Sequence, residues 1–271
     1  MEASRLQFPK IALQHPKKRA IITGAGSGIG YAFTNFLLKD GWGICALDIN
    51  VLRLQSLSCD LLSIHQIDIT NKSHFKEVIN EYGIKNDGID VLFNNAGVGD
   101  GVFFKDYALE NWDWIIDINL KAVIQGTHCV LPFMLKENAG TIVNMASMAG
   151  IANLPKMSPY NVTKAGVISL SETLNHELHK TNIRVVCVQP TFFQSSIKQH
   201  SKGDPSIIAS AEKRVNQSDL TSEEAARIIL KDLHKQKAVV RFPFSAHLFY
   251  FSRRYMSFFY KFILRRLLLN A

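Results

Sequence analysis

Short apolar runs of strand length recur along the chain, and segments whose apolar residues follow a helical period separate them. The helical spacing is clear at Ile29, Phe33 and Phe36, which fall on one face of a helix. Apolar runs of this length and β-branched content predict strands. Seven strands are predicted, at Ala20–Ile22, Gly43–Leu47, Ser63–Ile67, Ile89–Phe93, Thr141–Met145, Arg184–Val188 and Ala238–Val240.

This alternation of strands and helices predicts an α/β fold of the doubly wound, Rossmann-like kind. Parallel strands joined by right-handed helical crossovers form a sheet with helices on both faces. At 271 residues the chain is short enough to form one such domain. We expect a seven-stranded, mostly parallel sheet in residues 18–242, after an N-terminal extension (1–17) and before a tail (243–271). Ligands of this fold bind at the carboxyl ends of the strands.

The composition is that of an ordinary globular protein. With 47% hydrophobic and 20% charged residues, it excludes long disorder, collagen and coiled coil. The four cysteines form no Cys-x-x-Cys pair and have no histidine at metal-ligand spacing, so we expect buried, reduced thiols and no metal. The first twenty residues contain no apolar run long enough for a signal-peptide core. The expected compartment is the cytoplasm.

The net charge of +8 is concentrated near the carboxyl terminus. No acidic residue follows Asp232, whereas eight of the 31 lysines and arginines do, which leaves 23 bases and 23 acids in residues 1–232. A local excess of this kind indicates a basic patch and argues against a nucleic-acid-binding fold.

A glycine-rich segment, Thr23 to Gly30, follows the first predicted strand and leads into a helix. Glycines in this place let the backbone approach a pyrophosphate at the helix N-terminus. The spacing G-x-x-x-G-x-G fits Gly24, Gly28 and Gly30. A glycine-rich turn without a ligand is the alternative. The cofactor-binding residues predicted in this segment are Gly24, Ser27, Gly28, Ile29 and Gly30.

Asp48 ends the second predicted strand, where a carboxylate accepts hydrogen bonds from the hydroxyls of an adenosine ribose. A 2′-phosphate at that position would be repelled. Neither Ser27 nor Ile49, the positions from which a base would neutralise the phosphate, is basic. The sequence therefore favours NAD over NADP, and a plain turn aspartate is the alternative.

Further clusters end the third and fourth predicted strands. Asp68 and Ile69 follow the third strand, and Asn94-Asn95-Ala96-Gly97 follows the fourth. Each cluster alone is typical of turn chemistry. Because they and the earlier clusters fall on consecutive strand ends, we expect them to line the crevice that holds a dinucleotide.

A tyrosine and a lysine four residues apart, Tyr160 and Lys164, follow Ser147 and the fifth predicted strand. Residues at this spacing share one face of a helix. The pKa of a phenol is about 10, and a nearby ammonium group lowers it because it favours the phenolate. The pair is therefore a candidate acid/base, and a solvated pair on a helix surface is the alternative.

The assembled pattern resembles the short-chain dehydrogenase/reductase family in its NAD-binding form, with T-G-x-x-x-G-I-G, N-N-A-G and Y-x-x-x-K motifs. These stand in order at Thr23–Gly30, Asn94–Gly97 and Tyr160–Lys164, and the resemblance covers about residues 18 to 242. It implies an enzyme that acts on CH–OH groups with NAD, with NADP less favoured. It also implies a homodimer or homotetramer joined through the long helices.

The resemblance implies roles for the matching residues. Tyr160 is the general acid/base, Lys164 lowers its pKa and holds the nicotinamide ribose, and Ser147 orients the substrate oxygen. Asn119 matches the family's asparagine in a water-mediated proton relay; alone, it would be a polar residue that kinks a helix. Cofactor contacts are implied at Asp68, Ile69, Asn95, Ala96, Gly97, Tyr160, Lys164, Pro190 and Thr191.

The chain departs from the family pattern after the sixth predicted strand. Thr191 follows Pro190 at the position where the family usually has glycine. We expect its side chain to restrict the loop that holds the nicotinamide amide. The following segment, Gln194–Ser218, is rich in Ser, Lys and Gln and is predicted to form a mobile lid.

The tail, residues 243–271, interleaves aromatic and basic side chains. No uncharged apolar run in it reaches 18 residues, so a helix that spans a membrane is not expected. A basic, aromatic helix can lie in a membrane interface, which predicts peripheral membrane contact. The alternative is that the tail covers the substrate cleft or a subunit interface, with its arginines over apolar surface.

The sequence predicts an NAD(H)-dependent oxidoreductase that interconverts a secondary alcohol and a ketone. Its expected partner is an apolar small molecule. The alternative is a non-catalytic nucleotide-binding sensor or scaffold, which the presence of all four catalytic candidates argues against. The apolar substrate is inferred from residues expected to border the nicotinamide: Val98, Phe103, Phe104, Met148, Ile151, Phe192 and Phe193.

Overall fold

The computed structural model describes residues 17–194, 201–205, 207, 209, 213, 215 and 217–269, and strands alternate with helices along it. The strands are β1 (Arg19–Thr23), β2 (Gly43–Asp48), β3 (Leu62–Gln66), β4 (Val91–Asn94), β5 (Asp100–Gly101), β6 (Gly140–Met145), β7 (Ile183–Pro190), β8 (Lys202–Gly203) and β9 (Val239–Phe242). The helices are α1 (Gly28–Lys39), α2 (Lys72–Lys85), α3 (Leu109–Ile116), α4 (Ala122–Glu137), α5 (Ala149–Ala152), α6 (Ser158–Glu177), α7 (Ser222–His234), α8 (Phe244–Tyr255) and α9 (Ser257–Leu269).

The main sheet has seven strands in the order β3-β2-β1-β4-β6-β7-β9, and every neighbouring pair is parallel. Each of the seven predicted strands is present, with ends that differ from the prediction by at most two residues. A separate two-residue pairing joins β5 to β8. The predicted Rossmann-like, doubly wound fold is confirmed.

Apolar side chains fill both faces of the sheet. On one face, α1 and α7 pack against the strands, and the rings of Phe33 and Phe93 lie 4.5 Å apart. On the other face, Phe75 and Ile79 of α2 pack with Met134 of α4. Burial of this area is the main stabilising contribution to the fold, and it holds the strand ends in fixed positions.

The four cysteines are free thiols, and three of them are buried in the sheet or in α4. The expectation that all four are buried is wrong for Cys59, which is exposed. This residue lies in the connection that precedes β3, outside the apolar runs that bury the others.

Three sequence predictions fall partly outside the described residues. These are the N-terminal extension apart from Lys17, the predicted lid at 195–200 and at most of 206–216, and the last two residues of the tail, 270–271. In the described ranges no helix is both long and apolar enough to cross a bilayer.

Candidate active site

The carboxyl ends of the strands surround a cavity of about 680 Å³. Gly30 and Asn119 are the predicted site residues that do not line it. The predicted residues that do line it are Gly24, Ser27, Gly28, Ile29, Asp48, Asp68, Ile69, Asn95, Ala96, Gly97, Ser147, Tyr160, Lys164, Pro190 and Thr191.

The glycine-rich segment turns sharply between β1 and α1. Gly24 and Gly28 have φ angles of +65° and +50°, a left-handed backbone that favours glycine. A methyl group on Gly30 would overlap the carbonyl oxygen of Gly24. Gly30 therefore lets α1 begin close behind the loop, while the earlier residues of the loop face the cavity.

The carboxylate of Asp48 is held by two backbone N–H groups. Gly26 donates to Oδ2 at 2.7 Å, and Asn50 donates to Oδ1 at 2.9 Å. A side chain on Gly26 would overlap Asn50, so this glycine is required for the close approach. Sequence spacing gave Gly26 no role, although it stands in the glycine-rich segment. Because a carboxylate accepts about four hydrogen bonds, Asp48 keeps acceptor capacity for a ligand.

Asp68 stands at the cavity beyond β3, with its carboxylate engaged in the turn that follows. Its Oδ1 accepts hydrogen bonds from the backbone N–H and the hydroxyl of Thr70, both at 2.8 Å. This is the turn chemistry that the sequence left open for the residue. Its exposed position at the cavity leaves Oδ2 as an acceptor for a ligand.

Asn95 ties the end of β4 to the glycine-rich loop. Its side-chain amide donates to the carbonyl oxygens of Thr23 and Gly24, both at 3.0 Å. The hydroxyl of Thr23 in turn accepts from the backbone N–H groups of Asn95 and Ala96 at 3.0 and 3.1 Å. These bonds hold the two loops side by side at the cavity.

A buried polar ladder lies beneath the site. Asn94 donates to Asn144 at 2.9 Å, and Asn144 donates to Ser171 at 3.0 Å. The ladder joins β4, β6 and α6, and its polar groups satisfy each other, which avoids the cost of unpaired burial. Asn144 and Ser171 were not predicted as part of the site, because a single polar residue in an apolar strand does not reveal its partner.

Tyr160 and Lys164 lie on one face of α6, as their spacing predicts. The Lys164 ammonium is 5.7 Å from the centre of the Tyr160 ring and donates to the carbonyl oxygen of Met145 at 2.7 Å. Burial lowers the pKa of Lys164 to about 8. Burial raises the pKa of Tyr160 above its ordinary value, and a hydrogen bond with Ser147 acts in the opposite direction, toward the phenolate.

Ser147 is placed by the loop after β6. Its hydroxyl oxygen accepts from the backbone N–H of Ala149 at 3.1 Å, and its hydroxyl lies 3.5 Å from the carbonyl oxygen of Pro190. Pro190 also accepts from the backbone N–H of Met148 at 2.9 Å. The ends of β6 and β7 are therefore locked together next to Tyr160.

Asn119 stands in a π-helical turn, Asp117–Lys121, that joins α3 to α4. Its side chain pairs with both backbone groups of Val98, each at 2.9 Å. A methyl group on Gly97 would lie 3.2 Å from the Asn119 oxygen and 3.6 Å from the Lys164 nitrogen. Asn119 therefore meets Lys164 across Gly97, although it does not line the cavity. Local widening of a helix is frequent at functional sites.

Asp100 lies in β5 at the cavity wall and is 7% exposed. Neither of its carboxylate oxygens has a hydrogen-bond partner among the described residues. Burial raises the pKa of Asp100 to about 7. Its burial was not predicted from the sequence, because β5 pairs with β8, about 100 residues later in the chain, and the cavity wall around it comes from distant segments.

The apolar wall of the cavity differs in part from the prediction. Val98, Met148, Phe192 and Phe193 line it, but Phe103, Phe104 and Ile151 do not. Phe104 is 69% exposed and packs its ring edge-on against Trp112 outside the cavity. The wall includes apolar residues that the sequence analysis did not select, among them Trp114, Ile118, Leu154, Met157, Ile207, Val215 and Phe249.

Thr191 stands at the position where the family usually has glycine. Its φ angle is not positive, so the backbone there does not need a glycine. Its backbone N–H donates to the carbonyl oxygen of Phe242 at 3.0 Å, and its hydroxyl lies 3.3 Å from that of Ser245 in α8. The threonine thus links the loop after β7 to the tail.

The family model of the short chain dehydrogenase matches residues 18–205. The chain belongs to the short-chain dehydrogenase/reductase family. Among its relatives, the 3-oxoacyl-(acyl-carrier-protein) reductase of Thermotoga maritima is 36% identical over 188 residues, which are 67% of this chain and 76% of that protein. The predicted family is confirmed, and this short-chain dehydrogenase/reductase is an oxidoreductase.

Two solved structures resemble this short-chain dehydrogenase/reductase along most of its length. One is a family member from Burkholderia phymatum in complex with NAD, with a TM-score of 0.76, 27% identity and coverage of 83% of this chain and 88% of that one. The other is a serine dehydrogenase complexed with NADP⁺, with a TM-score of 0.76, 29% identity and coverage of 84% and 95%. Because these relatives bind different cofactors, the family alone does not decide between NAD and NADP.

Proposed function

We propose that this short-chain dehydrogenase/reductase interconverts a secondary alcohol and a ketone with NAD(H), on a predominantly apolar substrate. The observation that carries the proposal is the placement of Ser147, Tyr160 and Lys164 on the same cavity as the glycine-rich segment. A cofactor-binding loop and an acid/base pair in one cavity are what hydride transfer requires.

The residues that line the cavity support the binding of a dinucleotide. Gly24 and Gly28 supply a backbone without side chains beside the N-terminus of α1, where a pyrophosphate is favoured. Asp48 would hold the adenosine ribose, and Asn95, Ala96 and Gly97 continue the wall toward Tyr160. Asp68 and Ile69 would flank the adenine, and Pro190 and Thr191 the nicotinamide amide. When bound, NAD(H) accepts or supplies a hydride at nicotinamide C4.

Side chains of the cavity transfer the proton of the substrate oxygen and orient that oxygen. Tyr160 takes a proton from the alcohol oxygen, or gives one to the ketone oxygen, and Ser147 orients that oxygen by a hydrogen bond. The ammonium of Lys164, 5.7 Å from the centre of the Tyr160 ring, would favour the phenolate and bind the nicotinamide ribose. Asn119, next to Lys164 across Gly97, takes part in the water-mediated proton relay.

NAD is the proposed cofactor because of the charge around Asp48. A carboxylate repels the 2′-phosphate of NADP. Arg53 is close in sequence, but its guanidinium stacks on the ring of Tyr31 at 3.7 Å from the ring centre. This contact supports the choice of NAD, because it engages the base that would be available to neutralise a phosphate.

The apolar substrate is supported by the wall near Tyr160. Met148, Leu154, Met157, Phe192 and Phe249 come from three separate parts of the chain and meet at the cavity. A wall of this kind favours the binding of an apolar substrate, because each Å² of apolar surface removed from water stabilises the complex by about 25 cal/mol.

The proposed setting is the cytoplasm, with a homodimer or homotetramer and with peripheral membrane contact through residues 243–271. Exposed apolar residues on the long helices, Ile124 of α4 and Val162 of α6, support association between copies.

The test is turnover by the purified protein with NAD(H) and NADP(H), against alcohols and ketones that run from short and polar to long and apolar. Serine and 3-oxoacyl thioesters belong in the panel because the named relatives point to them. We expect a preference for NAD(H) and a kcat/KM that rises with apolar chain length. Binding of NADH without turnover of any substrate would favour the sensor function, and a preference for polar substrates would contradict the apolar pocket.

A further inference from the structure

Helix α8 presents an apolar stripe to solvent. Phe244, Leu248, Phe251 and Tyr255 follow one another at intervals of four, three and four residues, so they share one helix face. All four are exposed, Phe244 by 74%. A surface helix normally turns its apolar stripe toward the core. A contiguous exposed stripe therefore indicates a binding partner.

Helix α9 adds exposed aromatic side chains. Phe258 is 77% exposed and contacts the ring of Phe259 edge-on at 6.1 Å. Phe262, one helical turn further along, is also exposed. The aromatic surface consists of Phe244, Leu248, Phe251, Tyr255, Phe258, Phe259 and Phe262.

The other sides of these helices are anchored to the body of the protein. Ala246 is fully buried, and Phe249 lines the cavity. The buried hydroxyl of Tyr260 donates to the carbonyl oxygen of Ala152 at 2.7 Å. The tail therefore covers part of the cavity wall with one face of α8 while a different face points to solvent. The two interpretations that the sequence left open are compatible.

The charge next to the aromatic surface selects among partners. Arg254, Lys261 and Arg266 are exposed, and no acidic residue follows Asp232 in the sequence. A second copy of the chain would bring the same bases to the contact, and like charges repel. A bilayer with anionic lipid offers an apolar interior for the rings and negative headgroups for the bases.

We propose that the aromatic surface inserts into the interface of a bilayer that contains anionic lipid, with Arg254, Lys261 and Arg266 at the headgroups. This inference rests on the membrane contact of the proposed function and specifies the surface and the charge of the lipid. Because Phe249 lines the cavity from a different face of α8, docking places this helix between the lipid and the cavity.

The test is sedimentation of the full chain with vesicles of phosphatidylcholine alone and with about 30% phosphatidylserine. We expect binding to be at least about tenfold tighter with phosphatidylserine and to weaken as salt is added. Turnover of NADH without vesicles is measured on the same samples. Loss of that activity concerns the catalytic proposal, whereas loss of vesicle binding concerns the docking surface.

Two double variants separate the apolar from the charged contribution. Phe258→Ser with Phe259→Ser should weaken binding to both vesicles at least about tenfold. The matched control replaces two exposed apolar residues elsewhere, Leu52→Ser with Ile84→Ser, and should bind like the wild type.

The charge variant, Arg254→Glu with Lys261→Glu, should remove the preference for phosphatidylserine and spare weak binding to phosphatidylcholine. Its control, Lys85→Glu with Lys180→Glu, reverses two exposed charges outside the tail and should keep the preference. Equal binding of the wild type to both vesicles, or none, overturns the proposal. A second result also overturns the proposal: the wild type does not bind vesicles, and it forms an oligomer that dissociates when Phe258 and Phe259 are replaced. The partner of the aromatic surface would then be a second copy of the chain.

Discussion

Buried ionisable side chains are paired at the amino ends of the parallel strands, but one at the carboxyl ends is not. At the amino ends, the Arg19 guanidinium pairs with Asp90 through bonds of 2.8 and 3.0 Å and with Glu137 at 2.6 Å, and the side chains of Arg19 and Asp90 are at most 5% exposed. At the carboxyl ends, Asp100 is buried with no hydrogen-bond partner among the described residues. Pairing offsets the cost of burying a charge, so removing one partner is strongly destabilising, whereas an unpaired buried group keeps that cost and is found more often where groups serve binding or chemistry.

Replacing Arg19 removes the buried ion pair at the amino ends of the strands and should cause the largest loss of stability. Burial alone would lower the pKa of Arg19, but its hydrogen bonds with Asp90 and Glu137 raise that pKa above its ordinary value. Arg19→Met leaves Asp90 buried without its main partner and should lower the free energy of unfolding by about 3–5 kcal/mol. Urea titration measures this. Below the unfolding transition, kcat/KM should stay within about twofold.

The control is Lys17→Met, which removes a largely exposed ion pair with Asp87 and a longer one, 3.7 Å, with Glu137, but leaves the pair of Arg19 with Asp90 in place. It should cost less than about 1 kcal/mol. A loss at Arg19 no larger than the loss at Lys17 would contradict the role given to the amino end.

Replacing Asp100 tests the cost of the unpaired carboxylate at the carboxyl ends of the strands. The effect on the free energy of unfolding depends on pH. Because burial raises the pKa of Asp100 to about 7, the folded protein holds a proton there that the unfolded chain releases near pH 4. Its contribution to stability is therefore greatest below pH 4 and falls as the pH rises to 7. Asp100→Asn removes this dependence.

Relative to the wild type, Asp100→Asn should gain up to about 4 kcal/mol in the free energy of unfolding between pH 4 and pH 8. Urea unfolding of both proteins across that range gives the difference. A difference that does not change with pH would show that the carboxylate is solvated or paired.

Replacing Thr191, also at the carboxyl ends of the strands, should have the smallest effect on stability. Its hydroxyl meets that of Ser245 at a solvent-exposed contact of 3.3 Å. Thr191→Ala should cost less than about 1 kcal/mol, and Ser245→Ala should cost about the same because both lose one hydrogen bond. Thermal unfolding of the two single variants and the double variant measures the coupling. Fully additive losses would contradict the contact.

Most of the framework was predictable because its signals are local in the chain. Strand runs and helical periods depend on neighbouring residues, and so does the placement of Tyr160 and Lys164 on one face of α6. The glycine-rich segment was predictable for the same reason, since a left-handed turn requires glycine at Gly24 and Gly28.

The rest of the site depends on contacts between distant parts of the chain. The need for Gly26 arises from its approach to Asp48, and Asn144 is satisfied by residues from β4 and α6. Phe104 was assigned to the pocket because it is apolar, but apolar character does not tell which side of a loop faces the cavity. Phe249 was missed because the tail returns to the cavity after more than 80 residues beyond Tyr160.

The central claim is that Tyr160 moves the proton during hydride transfer at the carboxyl ends of the strands. The most direct measurement compares wild type and Tyr160→Phe in single-turnover oxidation of NADH by the best ketone, with NADH affinity measured separately by fluorescence. We predict a rate lower by about 10²–10⁴-fold and an affinity within about threefold. A phenylalanine variant that reduces the ketone as fast as the wild type would contradict the account.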